Sequence, residues 1–228
     1  MTEFTPPALP VRAPRSDGVE ARARLLHAAL RLFATKGFAN TSTRELATAA
    51  GVNIASISYY FGDKAGLYRA AYTEPMGGSC GEVITFDPTQ APLEPALRLM
   101  LTQFVAPLKQ GDLVQQCMRL HFREMLEPTG LWAEEIDNGI RPAHEALLQV
   151  LCQHLKLEQA DDDIHRLAFS IVGLAIHMFV GRDIMQVLRP QLQDDAAAID
   201  TYTERLLSYA LAMVASEQSR RLALASHP

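Results

Sequence analysis

Cysteine is scarce in this chain: only three are present, Cys80, Cys117 and Cys152. Their odd number and wide spacing argue against a disulfide framework or a zinc finger and predict a reducing, cytoplasmic location. No apolar run approaches the roughly 18–20 residues that a membrane-spanning helix needs, so no membrane partner is expected. The N-terminal stretch also lacks the apolar segment of a signal peptide.

Glycine and proline, 13 of each, punctuate a chain that is otherwise rich in Ala, Leu, Glu, Gln and Arg. This composition favours helices and disfavours a β-barrel or sandwich. Asp17 and Asp63 are candidate N-caps, and Gly37 and Gly62 are candidate C-terminal glycines. The sequence therefore predicts an all-α fold of about nine helices, at 19–35, 43–50, 54–60, 64 to about 74, 93–109, 112–126, 131–155, 161–188 and 195–218.

The net charge of −5 is unevenly distributed along the chain. Residues 11–72 hold nine Lys or Arg and four Asp or Glu, whereas the remainder is strongly acidic. A basic N-terminal block on an acidic body indicates a polyanionic partner at one end, although a solvated surface would carry the same charges. We expect a flexible Pro-containing arm (1–16), a basic helical domain (17–77) and a C-terminal domain (78–228).

Two short predicted helices are joined by the turn Gly51-Val52-Asn53, which is typical of a helix-turn-helix. Ser42 and Glu45 have the spacing of a capping box, and Asn53 is placed to cap the later of these two helices, the third in the chain. Small Ala47 and Gly51 would let the helices cross closely. The expected inward side chains are Leu46, Ala47, Ala50, Val52 and Ile57, and the outward ones are Ala55, Ser56, Ser58 and Tyr59. Short polar side chains on an exposed helix suit entry into a DNA major groove.

Four strings stand together between Leu25 and Tyr68: T-S-T-R-E-L-A, A-A-G-V, Y-Y-F and G-D-K-A-G-L-Y. This stretch resembles the TetR family of bacterial transcriptional regulators. The string N-I-A-S-I-S-Y-Y-F-G, and R-E-M-L-E-P-T-G-L-W-A-E-E-I-D-N-G-I-R-P at Arg123–Pro142, resemble the CecR-type subgroup. The resemblance implies a homodimeric repressor that binds a palindromic operator and is released by a small-molecule effector.

The helix-turn-helix layout and the resemblance together predict the DNA contacts. These residues are Ser42, Thr43, Arg44, Asn53, Ala55, Ser56, Ser58, Tyr59, Tyr60 and Lys64. Thr43 and Lys64 begin helices, where free N–H groups favour a phosphate, and Arg44 is long enough to reach a guanine edge. For Tyr60, packing beneath the fourth helix is the alternative to a contact with the DNA backbone.

The resemblance also places an effector site inside the C-terminal domain. The candidate lining residues are Phe104, Met118, His121, Phe122, Trp132, His177, Met178 and Met185. Flexible apolar side chains suit an adaptable cavity, although a plain helical core would hold the same residues. Gly173 and Gly181 interrupt an apolar helix, and His121 and His177 place polar tips among apolar neighbours. These features favour a pocket for an apolar, aromatic effector with a hydrogen-bonding group.

The last two predicted helices, 161–188 and 195–218, are apolar over most of their circumference. Such helices must be covered on every side. The resemblance implies that they pair with their copies in a four-helix dimer interface. The alternative is a core formed within one chain.

The remaining motifs favour structural roles, so we expect no enzyme activity, no metal and no cofactor. Gly77–Gly81 matches the hydrolase pattern G-x-S-x-G, but a helix precedes it, so a loop is expected. His121 and Glu124 are more typical of a hydrogen-bonded or surface pair than of a metal site, and Asp161–Asp163 predicts an N-cap. The alternative function is a helical small-molecule-binding protein or enzyme without DNA function. Salt-dependent retention on DNA would separate the two.

Overall fold

The computed structural model describes residues 16–75, 87 and 91–226. Regular structure in these residues is helical, which confirms the all-α class. The chain forms two compact units, an N-terminal unit and a C-terminal unit, that divide between Ala71 and Tyr72. The predicted arm at 1–16, Cys80 and the Gly77–Gly81 motif fall outside the described residues, apart from Ser16.

The N-terminal unit is built from α1 (Ser16–Lys36), α2 (Thr43–Ala50) and α3 (Ala55–Phe61), followed by α4 (Lys64–Thr73), whose last turn enters the C-terminal unit. Their apolar stripes meet in a core that includes Leu25, Phe33, Leu46, Ile57 and Leu67, all of them buried. The Phe33 and Tyr68 rings pack edge to face with centroids 4.9 Å apart. This core fixes which face of α3 stays outside.

Local capping explains why these helices begin and end where they do. The Ser42 hydroxyl accepts a hydrogen bond from the Glu45 N–H at 3.1 Å, and Asp63 accepts one from the Gly66 N–H at 2.7 Å. Both caps are as predicted. Gly51 and Gly62 have φ values of 64° and 81°, a region that L side chains avoid, so each glycine ends its helix.

Three local expectations in this unit need correction. Asp17 lies inside the first turn of α1 rather than capping it, because the helix begins at Ser16. The third helix begins at Ala55, and Asn53 accepts from the Ala55 N–H at 2.9 Å in the turn before it. A Cβ built on Gly51 would meet nothing within 4 Å, so Gly51 is required by its φ and not by close crossing.

The C-terminal unit follows the predicted helices closely. It comprises α5 (Leu93–Val105) with a 3-10 turn (Ala106–Lys109), α6 (Asp112–Leu126), α7 (Leu131–Glu135), a π turn (Ile136–Ile140), α8 (Arg141–Leu155), α9 (Asp162–Val180), α10 (Arg182–Leu188), a 3-10 turn (Pro190–Leu192) and α11 (Ala196–Ala225). Helices α5, α8, α9 and α11 surround an aliphatic core that includes Leu97, Leu147, Ile164, Met178 and Leu206. Asp161 accepts from the Asp163 and Ile164 N–H groups, which confirms the predicted N-cap of α9.

Two of the long predicted helices differ in detail. The helix predicted at 161–188 is interrupted at Gly181, although the Gly181 N–H still bonds the His177 carbonyl and the Met185 N–H bonds the Gly181 carbonyl, each at 2.9 Å. The last helix runs on to Ala225, beyond the predicted end at 218. Arg220 and Arg221 in this extension pair with Asp163 and Asp161 at 2.7 Å, contacts that sequence periodicity does not reveal.

Helix α9 is long and apolar enough to cross a membrane by length and composition alone. The core helix of a soluble protein passes the same test. In this structure α9 packs against α5, α8 and α11, and its inward residues belong to the core of the C-terminal unit.

Candidate functional site

Helix α3 presents a small polar surface to solvent. Ala55, Ser58 and Tyr59 are exposed, and Tyr59 keeps 82% of its surface accessible. Ser56 is half-buried, so the expectation that it points fully outward is wrong. Because Ile57 is buried against α1 and α2, the helix is held with this face outward. The shape and chemistry fit a major groove.

Helix α2 places two further candidates beside this surface. Arg44 is exposed, and Thr43 is half-buried in the first turn. The Glu45 carboxylate pairs with the Lys36 ammonium, and that hydrogen bond is the main cause that lowers the pKa of Glu45. A negative charge next to Arg44 is therefore already neutralised within the N-terminal unit.

Lys64 begins α4, and its ammonium lies 4.3 Å from the centroid of the Phe38 ring. A cation in this position is attracted to the ring face, which holds the side chain near the helix start. The side chain is half-buried, so its charge stays accessible to an anion.

Tyr59 and Tyr60 pack edge to face with ring centroids 4.8 Å apart. Tyr60 is half-buried, and its hydroxyl lies only 3.3 Å from the position of a Cβ built on Gly18, in the first turn of α1. The Tyr60 hydroxyl therefore lies beside the first turn of α1, whereas the Tyr59 ring is exposed.

In the C-terminal unit, Phe104 and Phe122 meet through Phe179, which the sequence analysis did not select. The Phe179 centroid lies 5.7 Å from that of Phe104 and 5.2 Å from that of Phe122. Met118, Met178 and Met185 are buried nearby on α6, α9 and α10. These candidates therefore lie on elements that pack against one another.

His121 and Glu124 are both buried and hydrogen-bonded, so of the two expected alternatives, a hydrogen-bonded or a surface pair, the surface pair is wrong. The His121 ring stacks on Tyr72 at 3.9 Å, and its Nδ1 lies 2.8 Å from the Cys117 carbonyl. Burial lowers the pKa of His121, so the ring is neutral near pH 7.

The Glu124 carboxylate is directed at the start of α7. It accepts hydrogen bonds from the Thr129 N–H and hydroxyl and from the N–H groups of Leu131 and Trp132, at 2.7–3.3 Å. Trp132 is half-buried in this first turn of α7. A Glu seven residues before a helix gives no sequence signal of a cap, so this role was not foreseen.

His177 is exposed, and the expectation of a buried polar tip among apolar neighbours is wrong. A Cβ on Gly181 would lie 2.8 Å from the His177 ring, so Gly181 makes room for the imidazole rather than for a ligand. Gly173 is exposed as well, with open space around its Cβ position. Gly173 therefore lies on the outer face of the helix, whereas Gly181 is buried.

Three side chains of the C-terminal unit carry buried polar atoms that the sequence did not indicate. The Oε1 atoms of Gln103 and Gln193 and the Nε of Arg182 are buried and have no hydrogen-bond partner in the described residues. Another nitrogen of Arg182 donates to Gln115 on α6 at 2.6 Å. Buried polar atoms need partners, so these atoms indicate where a ligand or water would bind.

Comparison with known proteins assigns both halves of the chain. Residues 25–71 match the bacterial regulatory proteins of the tetR family, and residues 93–215 match the C-terminal domain of the HTH-type transcriptional dual regulator CecR. The CecR dual regulator of Shigella flexneri is 28% identical over 178 residues, which cover 73% of this chain and 78% of the relative.

Solved structures share the fold. A TetR-like transcriptional regulator from Rhodococcus sp. RHA1 superposes with a TM-score of 0.56 at 19% identity, covering 90% of this chain and 99% of that one. NalD, the secondary repressor of the MexAB-OprM multidrug efflux pump in Pseudomonas aeruginosa, gives a TM-score of 0.53 at 20% identity, covering 87% and 97%. The chain belongs to the TetR family of transcriptional regulators and carries a CecR-type C-terminal domain.

Proposed function

We propose that the chain is a cytoplasmic, homodimeric repressor that binds a palindromic operator and is released by a small-molecule effector. The observation that carries the proposal is the exposed polar face of α3, held outward by the buried Ile57 in a basic unit. Each protomer inserts α3 into one major groove, and the two half-sites lie about one helical turn, or a multiple of it, apart.

The candidate contacts divide into two kinds. Arg44 reads a guanine edge, while Ala55 and Ser56 meet a thymine methyl or another base edge. The sugar-phosphate backbone is contacted by the remaining candidates, which are Ser42, Thr43, Asn53, Ser58, Tyr59, Tyr60 and Lys64. Backbone contacts set affinity and salt dependence, whereas base contacts set sequence preference.

The dimer is supported by an apolar stripe along α9 and α10. The stripe consists of residues that recur at helical spacing: Phe169, Gly173, Val180, Ile184 and Val187. The large side chains among them are 52–81% exposed. Exposed apolar side chains in one continuous stripe mark a protein interface. His177 lies in the same stripe, so its exposure in one protomer is consistent with burial in the dimer.

Helix α11 offers the matching surface. Its exposed positions include Ser208, Ala212, Ala215 and Ser219, which recur at spacings of three and four residues. Small side chains allow a facing helix to approach closely, and Tyr209 beside them is 52% exposed. The dimer of our proposal is therefore a four-helix arrangement of α9–α10 and α11 with their copies.

We place the effector between α5, α6 and the junction of α9 and α10. Phe122 and Gln115 lie two turns apart on one face of α6, and they contact Phe179 and Arg182 respectively. The aromatic cluster suits an apolar ring, and the free Nε of Arg182 suits an acceptor such as a carboxylate or carbonyl oxygen. His177 is no longer a candidate for this site because it lies on the outer face.

Coupling of effector to DNA would run through α4. This helix begins at Lys64 and its last turn lies in the C-terminal unit, where Tyr72 stacks on His121 of α6. An effector that shifts α6 moves the end of α4 and changes the spacing of the two α3 helices. Such coupling amounts to about 1–3 kcal/mol and acts in both directions.

Fluorescence anisotropy with labelled duplex DNA tests the DNA function. We expect affinity that falls steeply with salt and two protomers in each complex. No retention on DNA at low salt would contradict the proposal and favour a binding protein without DNA function. With an effector in hand, saturating operator must weaken effector binding by the same factor by which effector weakens operator binding.

A further inference from the structure

Two histidines outside the proposed sites face each other across α8 and α9. His144 Nε2 lies 3.0 Å from His165 Nδ1, and the two rings are nearly parallel with centroids 5.2 Å apart. The His144 ring also stacks on Phe169, with centroids 4.5 Å apart. The pair is partly buried, and the stack restricts how the His144 ring can turn.

The separation of the two nitrogens fits metal coordination. Imidazole nitrogens bind Zn²⁺ at about 2.0–2.1 Å, so two adjacent ligands are about 2.9–3.4 Å apart for angles between right-angled and tetrahedral. The observed 3.0 Å lies in this range, so the helices need not move, but the two rings must turn so that their lone pairs converge on one ion. Imidazole is a preferred ligand of Zn²⁺, Ni²⁺ and Cu²⁺.

The surroundings leave the rings available. The charged neighbours on both helices are otherwise engaged: Arg166 pairs with Asp163, Arg221 with Asp161 and Arg141 with Asp137. Glu145, which follows His144 in the chain, is the acidic neighbour that interacts electrostatically with this ring.

We propose that His144 and His165 form an open, two-ligand site for a divalent transition-metal ion of the Zn²⁺, Ni²⁺ and Cu²⁺ class. When the ion binds, the ring that donates the hydrogen bond moves its proton to its other nitrogen, and both lone pairs face the metal. For a neutral pair this transfer releases no net proton. No group of three or more His, Cys, Asp or Glu side chains that could hold a metal occurs in the described part of the chain, so water completes the coordination.

Binding would join α8 to α9 at a point next to the apolar stripe, because Phe169 belongs to that stripe and contacts His144. A ligand that binds only the folded state raises its stability in proportion to the logarithm of ligand concentration. The site is separate from the proposed effector site, since His144 lies on α8 and His165 lies in the first turn of α9, whereas the effector site lies at the other end of α9.

Calorimetric titration of the untagged, full-length protein with Zn²⁺ or Ni²⁺ tests the site. We expect one ion per protomer and a higher melting temperature in its presence. His144→Gln and His165→Gln each weaken binding roughly tenfold or more, and the double variant abolishes it. The matched control, His154→Gln, removes an exposed histidine from the same helix α8 and leaves binding unchanged.

A spectroscopic readout separates metal binding from folding. Electron paramagnetic resonance of bound Cu²⁺ should show hyperfine coupling to two imidazole nitrogens in the wild type and in His154→Gln. His165→Gln should show coupling to one nitrogen. His144→Phe retains a ring to stack on Phe169, so it keeps the fold while losing one nitrogen. Absence of metal binding by the wild type, or full binding by the double variant, would overturn the proposal.

Discussion

The molecule exposes two helical faces of opposite chemistry. On α3 the exposed residues are small or polar, as with Ala55, Ser58 and the Tyr59 phenol. The stripe along α9 and α10 instead exposes large apolar side chains, with Phe169, Ile184 and Val187 between 61% and 81% exposed. A polar face can remain in water until DNA arrives, whereas a continuous apolar stripe is stable only when covered. In our proposal the two faces serve two different partners, a nucleic acid and a second copy of the chain.

The largest effect is expected from a charge placed in the apolar stripe, which tests whether the stripe is covered by a second copy of the chain. We expect Ile184→Glu to fold, because the side chain is 61% exposed in one protomer. In the dimer the carboxylate would be buried without a partner, at a cost of about 3–5 kcal/mol, so dimerisation weakens at least about a hundredfold. Sedimentation equilibrium measures this directly.

The control for that experiment is Gln186→Glu, which adds the same charge at an exposed position of α10 outside the stripe. It should leave the dimer intact. Equal weakening by both variants would show that the stripe is not the interface.

Glu124→Ala tests how the start of α7 is held in the C-terminal unit. The substitution leaves the donors of Thr129, Leu131 and Trp132 without their buried acceptor, so we expect a loss of about 2–3 kcal/mol in the free energy of unfolding. Urea denaturation followed by circular dichroism provides the value. Glu127→Ala, which removes only the exposed pair with Arg123, should cost about 0–1 kcal/mol. Equal costs would mean that Glu124 does not anchor α7.

Arg44→Ala tests whether the N-terminal unit reads DNA bases. Loss of a bidentate guanine contact should reduce discrimination by about 1–3 kcal/mol at one operator position in each half-site. Ser56→Ala should relax a different position. Binding to a panel of single-base operator variants measures both effects, and uniform weakening across all sequences would assign these residues to backbone contacts.

Lys64→Ala tests the phosphate contact at the start of α4. Specific and non-specific DNA affinity should both fall, and the slope of log affinity against log salt should become shallower by about one. Lys109→Ala is the control, because that lysine pairs with Asp200 in the C-terminal unit. An unchanged slope would mean that the Lys64 ammonium serves only to pack on Phe38.

The smallest expected effect concerns the ion pairs between α9 and α11. The hydrogen bond from Arg221 lowers the pKa of Asp161 from 3.8 to about 2. Since the folded pKa lies below the unfolded value, this stabilisation is complete above about pH 4 and is lost as the pH falls towards 2. The Asp161 side chain is 54% exposed, so solvent screens the pair. Asp161→Asn should therefore reduce only slightly the loss of unfolding free energy below about pH 4, as measured by urea denaturation at several pH values. If the free energy of unfolding depends on pH below about 4 in the same way in the wild type and the variant, the pair makes no contribution.

Local signals in the sequence predicted the N-terminal unit closely. The Ser42 and Asp63 caps and the two glycines with positive φ depend on residues next to each other in the chain, so the bounds of α2 were predicted without error. Asn53 and Asp17 show the limit of this reasoning, because a residue suited to a cap can be used by the neighbouring turn or absorbed into the helix.

The C-terminal unit was less predictable because its features depend on contacts between distant segments. Arg221 extends α11 through Asp161, and Glu124 caps α7 across a loop, neither of which has a local pattern. His177 illustrates the same limit: periodicity placed it on an apolar helix but could not tell the inner face from the outer one, since both are apolar.

Selection of random DNA duplexes by the purified protein, followed by sequencing, tests the central claim most directly. Our account predicts an enriched inverted repeat, with half-sites separated by about one helical turn or a multiple of it. Enrichment should be lost when Arg44 and Lys64 are both replaced by alanine. A single, unrepeated half-site would contradict the dimer, and no enrichment at all would contradict the role of α3 as a reader of DNA sequence.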